Sequence, residues 1–170
     1  ALWRRRRERT GAPEPPVPGP AAGSPAKVQQ SYRQMLSCDV APALRALGLL
    51  GSGTTYSIPS DTHWALVGFQ GSTSNTAQLM KFTINVKVVR RDVWRAEYAS
   101  KPGIGRAPTA NTHVGSFEWS ERIGLLMPAR ADHWWSLRLG QDVATIAAEV
   151  IEALSTYAIP AMKAQIAATS

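Results

Sequence analysis

The segment LMKFTINVKVV, residues 79–89, restricts the fold more than any other part of the chain: Phe82, Ile84, Val86 and Val88 fall on one side, and Lys81, Thr83, Asn85 and Lys87 on the other. A period of two belongs to an extended chain with one face on a core, and clean alternation marks an antiparallel strand. Such a strand needs partners. TTYSIPS and THWALVGFQG, rich in β-branched and aromatic residues and separated by a Pro-Ser-Asp turn, predict a hairpin before it. The polar stretch GSTSNTAQ then reads as the turn into residues 79–89.

Helical periodicity flanks these strands. Val28, Tyr32, Met35 and Leu36, continued by Val40, Leu44 and Leu47, recur at three- and four-residue steps and predict a helix over about residues 27–47. Pro42 restarts or kinks it, and Gly48 ends it. Near the other end, Val143, Ile146, Ala147, Val150, Ile151, Leu154 and Tyr157 form a second stripe, with Asp142 placed to cap it and Pro160 interrupting it. Helix, antiparallel strands and helix together predict an α+β fold: a sheet of about four to five strands with the N- and C-terminal helices packed on one face. Residues 91–114 carry too little periodicity for assignment beyond one or two helical turns in RDVWRAEYA.

Three of the six tryptophans lie within residues 117–140, two of them adjacent. If DHWWSLRL is a strand, Trp134 and Trp135 point to opposite faces. Trp135 shares its parity with Leu137 and Leu139 and is the core residue of the pair. Both faces of the sheet are then covered, one by helices and the other by a partner, a loop or the tail.

Length and 44% hydrophobic content suit one core-forming domain over residues 27–170. Residues 1–26 form a basic, Pro-rich tail that is flexible in isolation; its ordering would point to a subunit of a larger assembly. Through Lys27 this region holds Arg4, Arg5, Arg6, Arg7, Arg9 and Lys27 against Glu8 and Glu14, more than half of the net +7. The rest is close to charge balance, so nucleic-acid binding would reside in the tail. Prolines after the basic block exclude a secretory signal. Ala1 is a residue behind which an initiator Met is removed. ALW before four arginines would read as the cytoplasmic end of a membrane helix only if sequence precedes Ala1. No apolar run approaches the roughly 18 residues of a spanning helix. A single cysteine, Cys38, excludes an internal disulfide, fits a reducing cytoplasmic location, and is expected to be a small buried residue.

The order of these segments resembles a small bacterial family, the domain of unknown function 4304. The resemblance rests on Gly48, on Phe69-Gln70, on Phe82 through Asn85, and on Trp119 followed by Arg122, Gly124 and Leu125. Trp134-Trp135 and Pro160 complete it, over about residues 30–165. The loop Arg91–Val114 and the tail fall outside the family pattern. The resemblance implies a compact α+β domain and brings no established activity.

Chemistry-bearing motifs are sparse. Neither a phosphate loop nor a G-x-S-x-G elbow is present, GSGTT reads as a turn, and no motif requires a cofactor. Asp61 with His63 and Asp132 with His133 would make a metal or acid–base site if neighbouring strands joined them. Gln70, Asn75 and Asn85 are amides that need partners if buried. Either they satisfy one another and nearby loops, or they form a shallow polar site ringed by Trp64, Trp119 and Trp134, with Arg122 or Arg138 recognising an anion. The leading expectation is a non-enzymatic protein-interaction module, a subunit or accessory protein of a larger bacterial assembly. Its candidate contacts are Arg4, Arg5, Arg6, Arg7, Trp64, Gln70, Asn85, Trp119, Arg122 and Trp134. The alternatives are a nucleic-acid-binding accessory protein using the arginine block, and a small metal-dependent hydrolase.

Overall fold

A computed structural model describes residues 27–170. The tail with Arg4, Arg5, Arg6 and Arg7 lies outside the described residues. Helix α1 (Val28–Met35) runs through one π turn (Leu36–Val40) into α2 (Ala41–Ala46). The π turn has a chemical cause. Pro42 has no N–H for the preceding turn and its ring would strike a carbonyl there, so the chain widens until the Ala41 N–H reaches the Leu36 carbonyl. The C-terminal pair repeats the device: α5 (Ala144–Ala153) passes through a π turn (Leu154–Ala158) into α6 (Ile159–Thr169), with Pro160 in its first turn. Asp142 accepts the Ala144 N–H at 3.0 Å at the start of α5.

Gly48, at φ +89°, closes the first helix. Its N–H donates to the Arg45 carbonyl and that of Leu49 to the Leu44 carbonyl, the Schellman arrangement, with Leu44 and Leu49 both buried. This turn carries Leu47 out to solvent and puts Leu49 into the core in its place.

The sheet is antiparallel throughout. β1 (Leu50–Ser52), β2 (Thr55–Ser57), β3 (His63–Gly71) and β4 (Leu79–Arg90) pair in sequence. Two short strands then share the far side of β4: β6 (Trp135–Arg138) pairs with Leu79–Phe82, and β5 (Trp119–Arg122) with Asn85–Val88. Between them the chain leaves the sheet through α4 (Ile123–Leu126). The six strands exceed the expected four to five because the Gly-rich turn before Thr55 pairs as β1, and because two short strands divide one edge.

Helices α1, α2, α5 and α6 cover one face. Phe82, Ile84, Val86 and Val88 join Val67, Phe69, Trp135 and Leu137 there, against Met35, Leu44, Val150, Leu154 and Met162. Each large apolar chain fully buried in this way contributes roughly 1.5–3 kcal/mol. Trp135 stacks on Phe82 at 5.5 Å, as its parity requires, whereas Leu139 projects into solvent beyond the end of β6.

The opposite face is also closed. Thr83, Asn85 and Lys87 are buried, and only Lys81 of that row is exposed. Helix α3 (Arg91–Ser100) and residues 101–118 lie across Asn85 and Lys87, and the His133 segment meets Thr83. Trp94, itself buried, donates its indole N–H to the Gly105 carbonyl at 3.1 Å and packs on Phe117, which ties this connection to α3. Cys38 departs from expectation: it sits on the outer side of its π turn and is exposed, between buried Leu36 and Val40. No helix among the described residues is long and apolar enough to cross a membrane.

Candidate functional site

Asn85 on β4 faces Arg122 on β5 in register, which sets both side chains on the face away from the core. Asn85 Nδ2 donates to Gln70 Oε1 at 2.7 Å and to Asn111 Oδ1 at 3.0 Å. Asn111 Nδ2 in turn donates to the Phe69 carbonyl. Arg122 Nε reaches Asn85 Oδ1 at 3.4 Å, while its Nη1 binds both carboxylate oxygens of Asp132 at 3.0 and 3.1 Å. Trp134 donates its indole N–H to Asp132 Oδ2 at 2.8 Å, and the Arg122 guanidinium lies 5.3 Å from the Trp134 ring. The indole hydrogen bond, followed by Arg122, holds the Asp132 carboxyl below the usual carboxylate range. Gln70, Asn85, Arg122 and Trp134 therefore converge, and each finds its partner inside the protein. Asn75 serves the backbone, accepting the Lys81 N–H and donating to the Lys81 carbonyl.

The expected ring of three tryptophans does not form. Trp119 has the parity of the core face, where it packs beside α6. Trp64 shares the outer face with Gln70 but lies six residues along β3, roughly 20 Å away in an extended chain. Arg138 is exposed at the far end of β6, outside the network. The two His/Asp pairs also stay apart. His63 pairs with Arg90 at one end of β4, and its ring binds the hydroxyls of Thr62 and Thr169. The His133 carbonyl accepts from Thr83 near the other end. Strand length separates the pairs, so they do not make one site. Among the described residues no three His, Cys, Asp or Glu side chains gather closely enough to hold a metal ion.

Two arrangements escape sequence reasoning. Lys87, fully buried, binds Glu118 Oε2 at 2.7 Å and donates to the Thr112 carbonyl. Glu118 Oε1 accepts the Val114 N–H at 2.6 Å and lies 3.0 Å from His113 Nδ1. Nothing local in the sequence marks the pair, because its partners are separated by the whole α3 connection.

The second arrangement is a groove of about 300 Å³ lined by Trp64, Arg91, Trp94, Arg95, Tyr98 and Arg106. Arg91, Trp94, Arg95 and Tyr98 follow the steps of one helical face, a signal present in RDVWRAEYA. The Arg91 guanidinium lies 3.9 Å over the Trp64 ring, and its Nε donates to the Ser60 carbonyl at 3.2 Å. The Trp94–Gly105 hydrogen bond brings in the segment that carries Arg106. Arg90, just outside, is neutralised by Asp92 at 2.6 Å, and that contact depresses the Asp92 carboxyl. Among the described residues Arg91, Arg95 and Arg106 have no carboxylate within salt-bridge distance.

No curated protein and no solved structure matches the chain. Residues 40–164, which run from the first π turn through the groove and the polar network into α6, match the family model described as Domain of unknown function (DUF4304), and the chain belongs to that family.

Proposed function

We propose that this domain is a non-enzymatic protein-interaction module, a subunit or accessory protein of a larger assembly, and that its partner docks on the groove of α3. The observation that carries this reading is the meeting of Trp64, Arg91, Arg95, Tyr98 and Arg106 in one open concavity. Trp, Tyr and Arg are the residues that dominate binding energy at protein interfaces. Arg91 is already held by a ring and a carbonyl, so little side-chain entropy remains to be lost on docking. The polar network around Asn85 bonds within the protein, which suits it to holding β4, β5 and the Asn111 segment together.

The test is the native mass of the protein recovered from its source through an amino-terminal affinity handle, for the natural chain and for Arg95→Glu/Arg106→Glu. A defined heteromeric complex that dissociates in the variant is expected. A free monomer in both would sink the interaction module; a complex indifferent to charge reversal would move the docking surface off α3.

A further inference from the structure

Resting on that reading, we infer that the groove accepts a short acidic segment of the partner, with Arg91 as its fixed carboxylate anchor. Three arginines line a cavity that, among the described residues, has no acidic residue in its lining. The orientation of Arg91 is set before any ligand arrives: Trp64 holds the plane of the guanidinium and the Ser60 carbonyl takes Nε, leaving its Nη atoms for a bidentate contact. Arg95 and Arg106 are exposed and line the same groove, from α3 and from the connection that Trp94 secures.

The same geometry argues against a nucleic-acid strand. A polyanion needs a continuous basic track, whereas the adjoining cavity, which shares Arg91 and Arg95 with the groove, interleaves Asp61 and Asp92 with its arginines. Stacking of a base on Trp64 competes with Arg91, which already covers one face of that ring. Most of the chain's net charge lies in residues 1–27 and not around α3. A local cluster of three arginines in a half-closed cavity fits a few carboxylates on an extended peptide.

The experiment uses the full chain and fluorescence anisotropy at low and moderate salt. Its probes are a labelled Asp/Glu-rich peptide, the same peptide with Asn/Gln in place of the acids, and a labelled oligothymidylate of equal charge. The acidic peptide should bind at least about tenfold more tightly than its amide counterpart, and Arg91→Lys should lose about tenfold although charge is conserved, because an ammonium cannot keep the stacked bidentate geometry. Arg95→Glu/Arg106→Glu, whose changes lie on exposed positions, should abolish binding and keeps the test valid if Arg91 variants fold poorly. Equal binding of the acidic and amide peptides, or wild-type affinity in both variants, would overturn the inference. So would oligothymidylate binding that exceeds peptide binding and depends on the groove. Oligothymidylate binding lost only when Arg4, Arg5, Arg6 and Arg7 are replaced by Gln belongs to the tail, and the peptide result then decides the groove alone. A native complex without acidic-peptide binding leaves the interaction module standing and removes its acidic chemistry. Acidic-peptide binding by a protein that is monomeric in its source does the reverse.

Discussion

Lys87 and Glu118 are both without solvent exposure at their side chains, and their contact at 2.7 Å joins the centre of β4 to the end of the connection that closes the outer face. Replacing Lys87 by Met leaves a carboxylate enclosed with only the Val114 N–H and His113 for partners. Removing one member of a buried pair costs about 3–5 kcal/mol, because the remaining charge is desolvated without compensation. Against a typical total stability of about 5–15 kcal/mol that is a large loss, and at roughly 2–4 °C per kcal/mol it lowers Tm by about 6–20 °C. Glu118→Leu strands the ammonium, leaving it the Thr112 carbonyl and the Trp94 ring, and should fall in the same range. Lys87→Met/Glu118→Leu removes both charges and should cost far less than the two single changes together. The expected coupling is about 2 kcal/mol or more in a double-mutant cycle, measured by urea unfolding at equilibrium with far-UV circular dichroism. Single-substitution losses below about 1 kcal/mol, the range of an exposed pair, would refute the reasoning. Additive losses would refute it as well.

Gly124 has no room for a side chain: a Cβ there would overlap the Ala131 carbonyl oxygen and come within 2.7 Å of the His133 amide nitrogen. Gly124→Ala should destabilise by about 1–3 kcal/mol in the same unfolding assay, and a neutral result would show that the turn before β6 adapts freely. In acid, the depressed Asp132 carboxyl contributes stability that is present above its ordinary value near 3.9 and is lost as pH falls through its lower folded value. Because Trp134 donates to that carboxylate, indole emission should change over this acid range in the natural protein but not in Asp132→Asn; identical titrations would exclude the linkage. At high pH, burial raises the hydroxyls of Tyr32 and Tyr56, neither of which has a hydrogen-bond partner among the described residues. Their stabilising contribution is full below the unfolded value near 10 and declines as pH rises from there toward the raised folded values. Tyr32→Phe should therefore leave stability at neutral pH unchanged or up to about 1 kcal/mol higher and reduce the alkaline loss of Tm, whereas an undiminished loss would assign it to other groups.

The α3 groove was partly legible before folding. Arg91, Trp94, Arg95 and Tyr98 share a helical face, yet a ten-residue helix next to a long aperiodic stretch offers too few turns for the pattern to stand out. Trp64 and Arg106 join that face only through packing. Gln70, Asn85 and Arg122 stand out in the sequence for a different reason: polar groups on strands must find partners. Alternation puts Asn85 off the core face, and only strand pairing brings Gln70 and Arg122 beside it.

Sequence by itself determined whatever depends on neighbours along the chain. The period of residues 79–89 set the core face of β4, parity chose Trp135 over Trp134, Gly48 ended the first helix, and Pro42 and Pro160 disturbed theirs. Those features arise from local geometry, which repeats every two residues in a strand and every 3.6 in a helix. Only the tertiary structure decided that residues 101–118 cross the outer face, that Lys87 meets Glu118 beneath them, and that Trp119 and Trp64 part company with Trp134. Each of these is a contact between segments distant along the chain, set by strand order and by the need to pair every buried charge and amide, and no period in the sequence records it.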